Sequence, residues 1–165
     1  MTTRRTEDKG IGEKPFHCQL RVGWAHVDFN QHMGNSAYLD LATDSRLMFF
    51  ESRGVPLSEL LRRQIGPVVL CDQLEYSSEL MLMELVTVTL ELEGLSADGG
   101  QMKLRNEFFR ADGKRAARLT SHGLWMNLKS RRPTIPPEPL IAALRSLSRT
   151  SAFAELPPRG RGAAP

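Results

Sequence analysis

The chain is 165 residues long, 41% hydrophobic and 25% charged, the profile of one water-soluble globular domain with a single core. Its longest apolar runs fall far short of the roughly 18 to 20 residues that a membrane-crossing helix needs, so no membrane partner is expected. The net charge of +3 sits at the ends. Residues 15–148 carry 15 basic and 15 acidic side chains, too balanced a body to neutralise phosphates, and no nucleic-acid partner is expected.

Residues 1–14 are charged, lack the apolar stretch of a secretory signal and read as a disordered lead-in. Phe16 to Trp24 alternates Phe16, Cys18, Leu20, Val22 and Trp24 against His17, Gln19, Arg21 and Gly23, which predicts a half-buried strand. From Asn35 the apolar positions shift to helical spacing through Tyr38, Leu41, Met48 and Phe49, until Gly54 and Pro56 stop them. That helix is apolar around most of its girth and should lie against something broad. Leu57–Gln64 reads as a short helical turn or lid. Pro67–Tyr76, Leu85–Leu95, Met102–Arg110 and Arg115–Leu128 read as strands. Asp98-Gly99-Gly100 and Asp112-Gly113 mark hairpins that make the last three consecutive and antiparallel. Glu138–Leu147 predicts a terminal helix, and residues 149–165, rich in Pro, Gly and Arg, read as a disordered tail. The fold class is therefore α+β, a long central helix wrapped by a five-stranded antiparallel sheet, with the folded domain spanning 15–148. Two cysteines, Cys18 and Cys71, form no disulfide scaffold and suit a reducing, cytoplasmic setting.

The chemistry concentrates between the first strand and the long helix, in His26-Val-Asp28-Phe-Asn30-Gln-His32-Met-Gly34-Asn35-Ser36-Ala-Tyr38. A loop feeding a helix N-terminus brings polar side chains to unpaired backbone N–H groups and the positive end of the helix dipole. Backbone donors of Gly34, Asn35 and Ser36 would then stabilise an oxyanion, with Asp28 as base or nucleophile. Each residue has a plainer reading. Asp28 can cap a turn, Asn35 can be the helix N-cap, and His32 can act in proton transfer or orient its neighbours by hydrogen bonding. His26, Asp28 and His32 match no standard metal spacing, so no metal and no cofactor are expected. Asp40 and Asp44 lie one helical turn apart on the otherwise apolar helix and read as a solvated or inter-subunit polar edge. Glu75 and Tyr76 end a strand, in which they alternate between its two faces. Lys129, Arg131 and Arg132 follow the last long strand, where they meet phosphate oxygens or solvent.

The run Asp28 to Tyr38 resembles the D-x-[DN]-x-x-[GH]-H-V-N-N-x-x-Y signature of hot-dog-fold thioesterases of the 4-hydroxybenzoyl-CoA thioesterase superfamily. It is also similar to the N-Q-H-V-N-N run of acyl-ACP thioesterases. The resemblance covers about residues 16 to 130, and Gly34 stands where the family commonly has Asn. It implies a hot-dog fold and hydrolysis of an acyl-CoA or acyl-ACP thioester by a homodimer or homotetramer without a metal. The site residues implied are Asp28, His32 and Asn35, with Asp40 on the helix as the alternative base, Tyr38, Glu75 and Tyr76 against the acyl group, and Lys129, Arg131 and Arg132 toward the CoA phosphates. Two other outcomes remain: a non-catalytic acyl-CoA-binding module, or a hot-dog hydratase, which needs a D-x-N-P-x-H arrangement that this loop lacks.

Overall fold

The computed structural model describes residues 14–158. The expected lead-in lies outside the described residues except for Lys14. A first strand, β1 (Phe16–Arg21), leads through a 3-10 turn (Trp24–His26) into α1 (Asn35–Ser52), followed by α2 (Leu57–Arg63). The long strands β2 (Ile65–Tyr76), β3 (Leu85–Ser96), β4 (Gln101–Phe109) and β5 (Arg115–Asn127) come next, then a two-residue β6 (Arg132–Pro133), α3 (Glu138–Arg145) and β7 (Arg149–Leu156). The sheet order is β1-β3-β4-β5-β2, antiparallel throughout, with β6 on β5 and β7 beside β3. This is the hot-dog architecture: the five expected strands curl around α1, and two short strands are added.

Strand alternation decides which face meets the helix. Val86, Val88, Leu90 and Leu92 of β3 are buried, as are Leu104 and Phe108 of β4 and Leu119 of β5, while Thr87, Thr89, Glu91, Arg105 and Glu107, which face the other way, are half-buried and polar. Glu91, Glu93, Lys103 and Arg105 pair across strands on the outer face, as do Glu107, Arg115 and Arg118. Two apolar clusters meet along α1. Ala37, Tyr38, Leu41 and Ala42 pack with β1, β3 and Phe108 at one end, and Phe49 and Phe50 pack with Trp125 and α3 at the other. The opposite face of α1 stays open, with Leu39 and Met48 exposed, so the breadth of its apolar girth exceeds what one sheet covers.

Three expectations need correction. Trp24 does not continue the buried face of the first strand: β1 ends at Arg21 and Trp24 is 81% exposed. Asn35 is not the N-cap of α1, because Gly34 occupies that position and Asn35 is the first helical residue. Residues 149–156 of the expected tail are ordered, since Arg149–Leu156 forms β7, running parallel to β3 at Leu92 and Gly94–Ser96. Six-residue β1 covers only Leu85–Leu90 of the twelve-residue β3, and β7 takes the edge it leaves open. Residues 159–165 of the expected tail lie outside the described residues. Among the described residues, no helix is long and apolar enough to cross a membrane.

Candidate active site

The loop entering α1 is a small hairpin. Val27 bridges Met33, the Asp28 N–H donates to the His32 carbonyl (3.1 Å), and the Gln31 N–H donates to the Asp28 carbonyl (3.0 Å). Gln31 takes φ +66°, the left-handed residue that closes a three-residue loop. The Met33 N–H donates to Leu80 O (2.7 Å) and the Gly34 N–H to His26 O (2.9 Å), so the loop is pinned on both sides before the helix begins.

Asp28 serves the turn and faces the helix end at once. Its Oδ1 accepts the Asn30 N–H (2.8 Å), the turn-capping role its residue type allows. Its Oδ2 turns toward Gly34, where an added Cβ would stand 3.2 Å from it. Gly34 therefore owes its identity to this close approach, because φ −73° and ψ 158° are open to any residue.

The backbone donors differ from the expected set of three. Gly34 has given its N–H to His26 O, and the Ser36 N–H bonds to the Asn35 side-chain Oδ1 (2.9 Å). The Asn35 N–H makes no hydrogen bond among the described residues. It sits at the first position of an 18-residue helix, where the dipole favours negative charge. One unpaired donor beside one carboxylate is what the loop presents.

His32 points elsewhere. Its Nδ1 lies 3.4 Å from Met33 O and its Nε2 3.9 Å from Glu79 Oε1, and its ring makes no hydrogen bond to the Asp28 side chain among the described residues. His26 Nδ1 accepts the Gly23 N–H (2.9 Å), and among the described residues no three His, Cys, Asp or Glu side chains gather as a metal site.

Tyr38 does not reach the surface. It is 2% exposed, its ring edge-on to Phe108 and Tyr76 (centroids 5.1 and 5.4 Å), and burial, ahead of the nearby Tyr76, Glu84 and Glu79, pushes its hydroxyl up to about 12. Tyr76, by contrast, is 55% exposed and lies edge-on to Tyr38 near the start of α1. Glu75 lies on the other face of β2, exposed, accepting a hydrogen bond from Gln73 (3.1 Å), so it cannot line a pocket that Tyr76 lines. Asp40 is exposed on α1, about 9 Å along the axis from Gly34. It lies one turn before Asp44, whose charge acts on Cys18 of β1. It thus flanks β1 while Tyr76 marks the β2 side.

Sequence reasoning missed a polar cluster beneath the second half of α1. Arg46 Nε and Nη2 both donate to Asn106 Oδ1 (3.0 and 2.9 Å), and Nη2 donates to Ser121 Oγ (2.6 Å). The Ser121 hydroxyl in turn donates to Asp72 Oδ1, and Asn106 Nδ2 donates to Ser45 Oγ and Thr89 O. The available signal was a lone Arg in an apolar helical stripe and a lone Asn at a helix-facing strand position.

Solved structures share this architecture at low identity. A Staphylococcus aureus protein solved in complex with CoA matches with 24% identity and a TM-score of 0.74, over 89% of this chain and 94% of that one. A 1,4-dihydroxy-2-naphthoyl-CoA thioesterase from Synechocystis matches with 15% identity and a TM-score of 0.71, over 81% of this chain and 98% of that one. A probable thioesterase from Escherichia coli matches with 22% identity and a TM-score of 0.64, over 81% and 98%. No curated protein sequence matches. The family model of the thioesterase-like superfamily spans residues 22–144, from the end of β1 into α3, and the chain belongs to that superfamily.

Proposed function

We propose that the protein hydrolyses acyl-CoA thioesters, with Asp28 as the catalytic carboxylate and the Asn35 N–H as the oxyanion donor. The observation that carries this reading is the juxtaposition of a carboxylate oxygen and an unpaired helix N-terminal donor across a glycine whose Cβ position lies 3.2 Å from that oxygen. Asp28 Oδ2 takes a proton from a water molecule as that water attacks the thioester carbonyl. The oxyanion that forms meets the Asn35 N–H, and collapse breaks the C–S bond. The proton held by Asp28 then passes to the departing CoA thiolate. A preorganised donor of this kind is worth about 3 to 4 kcal/mol in the transition state. His32 positions the loop and takes no proton in this scheme.

Membership of the thioesterase-like superfamily supports the reaction class, and the CoA complex of a protein with this fold supports CoA over an acyl carrier protein. The working unit is a homodimer. The outer edge of β2 has no strand partner among the described residues, and Val69, Leu70 and Tyr76 lie exposed along it. Cys18 and Cys71 are both free thiols, in keeping with a cytoplasmic setting.

The test is release of free thiol from a panel of aliphatic and aromatic acyl-CoAs. Turnover in excess of protein supports hydrolysis. Binding with the thioester recovered intact would replace it with the acyl-CoA-binding module, the other reading the same loop allows.

A further inference from the structure

β2 runs antiparallel to α1, with Tyr76 against Tyr38 in the first turn of the helix and Pro67–Val69 beside Leu47 and Phe50 near its end. Between strand and helix opens a cavity of about 140 Å³, walled by apolar Leu47, Phe50, Val68 and Leu104. Three polar side chains line it, Thr43, Arg46 and Ser121. Helical spacing puts Leu39, Arg46 and Phe50 on the flank of α1 that faces β2, so the exposed Leu39 lies between the helix N-terminus and this cavity.

The Arg46 guanidinium has committed Nε and Nη2 to neutral acceptors, Asn106 and Ser121, while Nη1 makes no hydrogen bond among the described residues. No carboxylate lies within 4.0 Å of it among the described residues. A guanidinium stays charged at neutral pH, and its Nη1 is left free to donate to an oxygen that enters the cavity. The Thr43 hydroxyl gives its proton to Leu39 O (2.9 Å), leaving only its oxygen toward the cavity.

We propose that this cavity receives the far end of the acyl chain and that Arg46 Nη1 donates to a neutral oxygen there, making a medium-chain hydroxyacyl thioester the preferred substrate class. The proposal rests on the thioesterase reading and extends it from the reacting carbonyl to the opposite end of the acyl group. Length follows from the helix. Asn35 to Arg46 is eleven residues, and the Arg side chain leans back toward the helix N-terminus, which places the donor roughly 12 Å along the axis from the Asn35 N–H. An acetyl group or a single aromatic ring falls short of that span, whereas a medium aliphatic chain fills it.

Charge selects a hydroxyl over a carboxylate. Asp72, joined to the cluster through Ser121, already balances Arg46, so a second carboxylate would meet repulsion where a hydroxyl does not. A plain methyl end would strip water from Nη1 and return no hydrogen bond, the situation in which a polar site discriminates most strongly.

The experiment compares kcat/KM of the full chain on ω-hydroxydecanoyl-CoA, decanoyl-CoA and ω-carboxydecanoyl-CoA by thiol release. Calorimetry with the corresponding free acids runs in parallel. The hydroxyl substrate is expected to exceed decanoyl-CoA about tenfold or more, and Arg46→Met to collapse that ratio to about one. Arg46→Lys, which keeps the charge and loses the planar fork, is expected to retain part of it. A wild-type ratio near or below one, or a preference for the carboxylate, overturns the proposal without recourse to any variant. If no thioester turns over, the thioesterase reading fails alone. The cavity proposal then stands if ω-hydroxydecanoate binds tenfold tighter than decanoate, and falls if the two bind alike.

Discussion

Gly34 offers a sharp perturbation because its backbone angles are ordinary and its constraint comes only from what it touches. An alanine Cβ there would lie 3.2 Å from Asp28 Oδ2 and 3.4 Å from Asp28 Cβ, so the carboxylate must give by a few tenths of an ångström. Since φ is −73°, no backbone strain accompanies the change, and the cost to folding is that of a poorer N-cap, about 0.5 to 1 kcal/mol. Catalysis should suffer more than stability, because an ångström of misplacement costs on the order of a hundredfold. Thiol release by Gly34→Ala should fall roughly tenfold, and by Gly34→Val, whose methyls also obstruct the approach of a carbonyl to the Asn35 N–H, about a hundredfold. Melting temperatures measured alongside should drop only by the few degrees that the N-cap loss implies. A Val variant that keeps wild-type kcat would show that neither the carboxylate position nor access to the helix end matters, and the reasoning would fail.

Three further outcomes follow from the packing. Tyr38 holds its proton to about pH 12 in the folded chain, where burial raises it from 10.0. Its contribution is complete below pH 10 and disappears as pH rises from 10 to 12, so stability should fall by about 3 kcal/mol across that window, and Tyr38→Phe should flatten the decline in a urea series. At Gly94, a Cβ would stand 3.0 Å from Leu156 Cγ and 3.2 Å from Ala154 O, so Gly94→Val should detach β7 at a cost of roughly 1 to 3 kcal/mol and open the chain to proteolysis after Ser148; an unchanged digestion pattern would contradict this. Light scattering at micromolar concentration should give a dimer or a multiple of one, and a strict monomer would remove the support for pairing along the β2 edge.

The periodic elements were legible in the sequence because each obeys a single local rule. Leu85–Leu95 alternates, Asn35 onward repeats at helical spacing, and Asp98-Gly99-Gly100 turns the chain between two strands. β7 escaped because Thr150, Ser151, Ala152 and Ala154 carry little alternation. Its placement comes from the half of β3 that β1 is too short to cover, a property of two distant segments. Trp24 continued the period-two pattern past the point where the chain had already turned into a 3-10 segment. At the site, the loop composition pointed to Asp28 and to the helix N-terminus. Which N–H remained unpaired depended on His26 O and Asn35 Oδ1, contacts that residue identity alone does not specify. Tyr38 and Glu75 were misplaced for one geometric reason. A side chain's face is fixed by its angular position on a helix or its register in a sheet, and Tyr38 turns into the core while Glu75 turns to the outer side of β2.

The central claim is that the Asp28 carboxylate performs the chemistry and does more than hold a turn. Asp28→Asn separates the two roles, since the amide oxygen still accepts the Asn30 N–H while the charge is gone. The measurement is kcat for thiol release from the best acyl-CoA of the panel, with Asp40→Asn as the parallel variant. The account predicts a fall of about 10² to 10⁴, roughly 3 to 5 kcal/mol, for Asp28→Asn with an unchanged melting temperature and near wild-type turnover for Asp40→Asn. Near wild-type turnover by Asp28→Asn together with an inactive Asp40→Asn would place the catalytic carboxylate on α1 and contradict it.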